Sequence, residues 1–335
     1  WMRLENVLAL TNANLVNEPF VKKFTNIVFD ENRVKRGDLF IAFDEETIET
    51  AVFNGAYGVM FDRPTQISDS EIAWIKVDNI EKALKRLLRF RLIQKDIIVY
   101  ECNEIILKLA LQVVTESNFM VLDGDIESLT KELWDLEGPH ILLFSPFLVS
   151  KDIFTDIKSI PSSREPISIM EQTLFETSFI YDDVFYERQL ISPFFIPYLS
   201  QLLYLFKRLK INFRLKKFNS IGHFEAVFTN KNFEIKEFGT SDKVLIFEKN
   251  CSVVKDEINY LQKQATWAKT IFLVPFLHTD NFEYVENLVI YKHENEILNI
   301  LKENSFHFAL IVGVDKSILS KPLANQAQIS LFDFN

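Results

Sequence analysis

The sequence predicts an α/β fold in three parts. Short apolar runs with strand character alternate with stripes of helical spacing along most of the 335 residues, and the chain is too long for one average domain. Hydrophobic residues make up 48% and charged residues 25%, the composition of a chain that buries a sizeable core. The divisions fall at 1–94, 95–214 and 215–335.

In the first part, Ile27 to Phe29 and Leu39 to Phe43 read as strands, separated by a charged turn at Gly37. Glu45 to Asn54 reads as a short helix ending at Gly55. Gly58 to Phe61 and Trp74 to Val77 read as further strands. Ile80, Ala83, Leu84, Leu87 and Leu88 then form one apolar helical stripe. The second part opens with a strand at Ile97 to Tyr100 and a helix from about Glu104 to Thr115. Ile141 to Phe144 is another buried strand, residues 145–170 look irregular, and a helix from about Tyr198 to Lys210 closes the part. In the third, Val244 to Phe247, Ile271 to Val274, Leu288 to Tyr291 and Phe308 to Val312 are strand-like. Helical patterns at Val254–Ala268 and Glu294–Glu303 lie between them, which suggests a largely parallel sheet.

The formal charge of −10 provides no global field for nucleic acid or anionic membrane. Two basic stretches stand against it: Lys82, Lys85, Arg86, Arg89 and Arg91 on one helix, and Lys207, Arg208, Lys210, Arg214, Lys216 and Lys217. Both read as solvated helix faces and loop. The 32 phenylalanines read as core filling with a compositional bias. Two cysteines, Cys102 and Cys251, imply no disulfide framework and fit a reducing compartment. Residues 1–15 lack a basic start followed by a long apolar run, so no signal peptide is read there, and Trp1 reads as an addition ahead of Met2. The most apolar stretch, Leu190 to Phe206, carries Ser192, Pro193, Pro197, Ser200 and Gln201 and is a poor bilayer span. A cytoplasmic location is expected.

The stretch Asp30-Glu31-Asn32-Arg33-Val34-Lys35-Arg36-Gly37-Asp38-Leu39-Phe40-Ile41-Ala42 resembles the first domain of the Mur ligases. That family reads Asp-Ser-Arg, then Gly-Asp-Leu-Phe-hydrophobic-Ala. Asn54-Gly55-Ala56 and Ile75-Lys76-Val77-Asp78, followed by Ala83-Leu84, extend the match. The resemblance is closest to the branch that adds D-alanyl-D-alanine to the UDP-muramoyl tripeptide. Further on, Ile196 to Ile211 resembles the helix closing the family's central domain. Gly222-His223-Phe224-Glu225 resembles its Gly-Arg-hydrophobic-Glu, and Val244 to Ser252 stands where the family has Asp-x-Tyr-Asn-Ala-Asn-Pro. The resemblance implies a three-part Mur-ligase-like architecture with a shortened central domain.

It also implies chemistry for which the residues are missing. The family's acyl-phosphate step needs a glycine-rich phosphate loop ending in Gly-Lys-Ser/Thr, because only glycine lets backbone N–H groups close on phosphate oxygens. The equivalent turn here, Tyr100-Glu101-Cys102-Asn103-Glu104-Ile105-Ile106, has no glycine, lysine or hydroxyl on its loop and gains two carboxylates. The chain has eight glycines and no Gly-Lys dipeptide. The central part is short by the segment that would carry the metal-binding Glu and carbamylated Lys. Where the family's Ser and Arg hold the UDP end, Glu31 and Asn32 stand, and the Asp-Gly-His loop has shrunk to Asp44-Glu45-Glu46. No catalytic residue, cofactor site or metal site is assigned, and UDP-sugar binding is expected to be absent or very weak.

Other chemistry finds little footing. His140, His223, His278, His293 and His307 have no Cys or carboxylate at metal-ligand spacing. Asp123-Gly124-Asp125 reads as a metal turn or as an ordinary Asp-Gly turn. Cys102, at a strand-to-helix junction, reads as an activated thiol or as a small buried apolar residue.

One positive signal lies near the end. Gln328-Ile329-Ser330-Leu331-Phe332 resembles the peptide with which many bacterial proteins dock on the DNA sliding clamp. There Leu331 and Phe332 would fill an apolar hole and the Gln328 amide would fix the register. The alternative is a last strand packing Ile329, Leu331 and Phe334 on the third part. Three functions follow: a non-catalytic scaffold or regulator in peptidoglycan precursor synthesis with a protein partner such as a cell-wall enzyme, a sliding-clamp-associated protein, or an atypical UDP-muramoyl-peptide ligase.

Overall fold

In the computed structural model, which describes residues 2–237, 239–282 and 284–320, the chain is of the α/β class read from its sequence. Its described residues divide into two compact units, 2–107 with 114–161, and 108–113 with 162–320.

The first unit runs β1 (Met2–Arg3), α1 (Leu4–Thr11), β2 (Asn14–Leu15), β3 (Lys23–Phe24), β4 (Ile27–Val28), β5 (Leu39–Ile41), α2 (Ile48–Phe53), β6 (Gly58–Phe61), β7 (Ala73–Lys76) and α3 (Ile80–Leu92). It continues with β8 (Ile97–Glu101), α4 (Glu104–Val113, whose second half belongs to the other unit), β9 (Phe119–Leu122), α5 (Ile126–Leu133), β10 (His140–Phe144) and β11 (Lys158–Ser159). One sheet has the order β2-β7-β6-β5-β4, parallel except for the β2 edge. The other, β11-β8-β10-β9, is wholly parallel. Parallel strands are covered on both faces, and β5 and β6 accordingly read as continuous buried runs.

The stripe of α3 buries Ile80, Ala83, Leu84, Leu87, Leu88 and Leu92. These join Leu39, Met60 and Ile75 of one sheet and Val99, Leu142 and Phe144 of the other in one core. The Asn79 side chain caps this helix by accepting the Lys82 N–H at 2.8 Å.

The opposite face of α3 corrects the reading of a solvated basic surface. Arg86 donates to the Thr11 carbonyl, Arg89 to those of Asp152 and Phe154, and Arg91 to that of Trp134. Lysine and arginine stems lie along apolar surface while the heads find oxygen, so these arginines tie α1, α5 and the 152–154 segment to the helix. In the second basic stretch, Lys207 pairs with Glu165 at 2.9 Å.

The second unit, beyond the end of α4, holds β12 (Ser168–Gln172), β13 (Thr177–Tyr181), β14 (Val184–Gln189), α6 (Ile196–Leu209), β15 (Glu225–Thr229), β16 (Lys243–Glu248), α7 (Val254–Gln264), β17 (Thr270–Pro275), β18 (Leu288–Tyr291), α8 (Ile297–Glu303) and β19 (Phe308–Val312). β12-β13-β14 is an antiparallel sheet the sequence reading did not contain; β12 falls partly in the stretch read as irregular. The five-stranded sheet has the order β15-β16-β19-β17-β18, parallel except for the β15 edge. Leu245, Phe247, Leu273 and Ile311 on one face pack with Ile297 and Leu301 of α8. Period-two alternation places Glu248 on the other face.

Candidate functional site

The turn from β8 into α4 is two residues long, Cys102-Asn103. The Cys102 N–H donates to the Phe144 carbonyl at 2.9 Å, extending the sheet ladder to the brink of the helix. Asn103 Oδ1 accepts the Ile106 N–H at 2.9 Å, and the Asn103 carbonyl accepts the Leu107 N–H. One of the donors with which a helix N-terminus holds an anion, the Ile106 N–H, is thus engaged by the turn's own side chain. Glu101 pairs with Lys151 at 2.5 Å, and Glu104 is buried. The Cys102 thiol is buried, and burial, with the Glu101 charge second, pushes its pKa well up. It is a protonated thiol, not an activated nucleophile.

The Gly37 turn leads into β5 as the sequence reading expected. Gly37 has φ +102°, and a Cβ there would lie 2.6 Å from Thr25 Oγ1. Asp38 is buried and accepts the Lys35 N–H at 2.9 Å. In the preceding turn the Asp30 carboxylate accepts the Asn32 N–H at 3.0 Å, and Arg33 approaches Asp30 at 3.5 Å. These polar groups close the turn on itself.

The second unit carries a buried polar cluster at the carboxyl ends of β16 and β19. Ligand crevices in open α/β sheets form at such edges. Glu248, the last residue of β16, is fully buried. Its carboxylate accepts from His223 Nδ1 at 2.8 Å, the Asn250 N–H at 2.8 Å and the Phe224 N–H at 3.1 Å. Asn250 Oδ1 in turn accepts from the Ser252 N–H and Oγ. From α7, Glu257 reaches the same place. It is fully buried, and no donor hydrogen-bonds its two carboxyl oxygens. Desolvation first, then the Glu248 charge, raises its pKa well above the ordinary value. This environment favours the protonated form of Glu257, which then has a proton to share with Glu248. Beyond β19, Gly313 takes φ +90°, and its N–H donates to the Glu248 carbonyl at 2.8 Å.

Two hollows flank this cluster. One, about 280 Å³, is lined by aromatic side chains including Phe175, Phe195, Phe218 and Phe224, with His223 in its wall. The other, about 1090 Å³, lies between Phe233–Ile235, Leu298 and Lys302 of α8, and residues 315–320.

The structure thus joins two stretches singled out separately in the sequence, Gly222–Glu225 and Val244–Ser252. It gives His223 a carboxylate partner that sequence spacing does not reveal. Glu257 was also missed, although it stands in register with the buried stripe Val254, Ile258 and Leu261. A charge at an apolar stripe position was the available signal. Asp125 serves as the N-cap of α5, accepting the Ser128 N–H at 2.8 Å, which holds its pKa low. Among the described residues no group of three or more His, Cys, Asp and Glu is arranged to hold a metal ion. No helix among them is long and apolar enough to cross a membrane. Gln328, Ile329, Ser330, Leu331 and Phe332 lie outside the described residues.

No protein-family model matches the chain, and no curated protein does. Among solved structures it is similar to MurF from Acinetobacter baumannii, at 11% identity over 97% of this chain and 98% of that one, with a TM-score of 0.47. It is also similar to the MurF ligase from Thermotoga maritima in complex with ADP, at 12% identity over 89% and 96% of the two chains, TM-score 0.45. A UDP-N-acetylmuramoyl-L-alanyl-D-glutamate–2,6-diaminopimelate ligase is similar at 8% identity over 96% and 99%, TM-score 0.35. With identities and scores this low, what the chain does is read from its own residues.

Proposed function

We propose that the chain is a non-catalytic protein on a Mur-ligase-like plan, acting through protein partners as a scaffold or regulator of cytoplasmic peptidoglycan precursor synthesis. The observation that carries this reading is the two-residue turn between β8 and α4. Phosphoryl transfer rests on positioning and charge neutralisation. A turn capped by Asn103, with Glu101 and Glu104 beside it, offers a triphosphate no glycine cradle, and the cation at hand, Lys151, is already paired with Glu101. The test is calorimetric titration with ATP and Mg²⁺: no saturable heat is expected, and clear binding below about 1 mM, the range of ordinary substrate affinities, would overturn the reading. The same titration with a UDP-muramoyl peptide is expected to be silent, since Glu31 and Asn32 stand at the expected nucleotide-sugar contact.

A second proposal rests on Gln328-Ile329-Ser330-Leu331-Phe332 alone: association with the DNA sliding clamp through that peptide. Its test is direct binding of the full chain to the clamp, before and after replacing Leu331 and Phe332.

A further inference from the structure

The exposed large apolar residues of the stretch 2–92 are Val16, Phe20, Phe53 and Ile67. Single exposed apolar side chains are ordinary, but the stretches that carry these four are all tied to one short segment, residues 67–71. Ile67 begins it. Phe53, 90% exposed at the end of α2, lines an open hollow together with Ser68, Asp69, Ser70 and Glu71. The Phe20 N–H donates to the Glu71 carbonyl at 3.2 Å, and Phe20 is 84% exposed. Val16 precedes Asn17, whose Nδ2 donates to the Ser70 carbonyl at 3.0 Å and to the Ile72 carbonyl at 2.7 Å.

The platform is braced. Asn17 Oδ1 also accepts the Trp74 N–H at 3.0 Å, and the buried Trp74 indole donates to the Asp69 carbonyl at 2.6 Å. Two nearly bare phenylalanines on a surface fixed in this way lose little entropy when a partner covers them. Exposed apolar residues tied together in this way mark contact sites.

The charge lining the hollow beside Phe53 has one sign. Glu49, Asp69 and Glu71 stand in its wall, and none of them forms an ion pair among the described residues. No cation lines the hollow beside Phe53.

We infer that this surface docks a cationic segment of a partner protein, one that offers lysine or arginine side chains between apolar residues. The apolar part would cover Phe20 and Phe53, and its cations would meet the carboxylates and the aromatic faces. The inference rests on the scaffold reading and names the chemistry of the partner.

The experiment uses the full chain and a labelled synthetic amphipathic peptide of leucine and lysine, with a leucine–glutamate peptide as counterpart. Anisotropy gives affinity and amide shifts give location. Saturable binding of the lysine peptide alone is expected, with shifts confined to residues 16–20, 49–53 and 67–71. Phe20→Ala with Phe53→Ala is expected to weaken it more than about tenfold, as loss of central aromatic anchors does. Both side chains are exposed, so the thermal unfolding of that variant should match the parent. Raising ionic strength from about 0.05 to about 0.5 M should weaken binding as well. Absence of binding, shifts elsewhere, equal binding of the glutamate peptide, or an unaffected double variant would each overturn the inference. None of these outcomes touches the non-catalytic reading, whose failure would appear in the nucleotide titration.

Discussion

The carboxyl group of Glu257 is buried against that of Glu248, and the two divide their roles by environment. Glu248 receives three hydrogen bonds, from His223 Nδ1 and two backbone N–H groups. Glu257 receives none and keeps its proton. Asp256 on the same helix adds further negative charge, and burial first, then Asp256 and Glu257, raises the pKa of Tyr198 of α6.

This pair predicts a pH dependence of stability. Below the ordinary glutamate value of 4.5, Glu257 is neutral in the folded and unfolded chain alike, and its favourable contribution is fully present. Above it, the unfolded chain ionises while the folded chain retains the proton. Stability then falls by up to about 1.4 kcal/mol per pH unit until the raised native value is passed. Glu257→Gln keeps the shape and removes the titration. Denaturant unfolding of both proteins from about pH 4 to about pH 8 should show the variant gaining on the parent as pH rises. A stability difference that stays constant across that range would show that Glu257 is ionised in the fold.

The arginines of α3 yield a second prediction. Arg89 donates to two backbone carbonyls of the 152–154 segment, whereas Lys82 is exposed. One of these bonds is exposed and the other half-buried; a hydrogen bond from a charged donor contributes about 1.5–3 kcal/mol, and an exposed substitution stays within about 0.5 kcal/mol. Arg89→Ala should therefore lower the unfolding midpoint clearly and Lys82→Ala hardly at all. Equal effects would return the helix to a solvated basic face.

How much of this was legible beforehand follows from where the information sits. The runs Leu39–Ile41 and Phe308–Val312 could be read as strands because parallel strands buried on both faces are continuously apolar. The stripe of α3 could be read because one face meets the core. β12 to β14 could not: Met170, Val184 and Phe185 are exposed, a bulge at Ile169/Glu171 breaks the alternation, and the β13–β14 turn uses Asp182-Asp183 at positive φ without glycine. The lack of glycine and lysine at Tyr100–Ile106 was visible because it is a property of the sequence itself. The meeting of His223, Glu248 and Glu257 is a property of the fold, since it joins a loop, a strand end and a helix face. The patch at Phe20 and Phe53 was hidden for the same reason.

The Asn103 cap yields a third prediction. Its side chain satisfies the Ile106 N–H at the start of α4, and loss of such a cap costs about 1 kcal/mol. Asn103→Ala should lower stability by about that amount, and ATP should not restore it, because a ligand stabilises only what it binds. A nucleotide-dependent rise in the melting temperature of either protein would identify a phosphate site at this turn.

The last prediction concerns Leu331 and Phe332, which lie beyond the described residues and whose role separates two proposals. As anchors of a docking peptide they contribute to a complex and not to the fold. Replacing both by alanine should then leave the unfolding curve in place and remove binding to the sliding clamp, since truncating a central apolar anchor costs about 2 kcal/mol or more. As core residues of a final strand they would contribute to the fold instead. The same double replacement would then cost several kcal/mol, roughly that of two large-to-small core changes. One variant measured in two assays decides between them, because the two roles move opposite readouts. An unchanged unfolding curve with clamp binding lost supports the docking peptide. A destabilised variant of a parent that does not bind the clamp removes that proposal and leaves the scaffold reading to stand on the turn at Cys102 and Asn103.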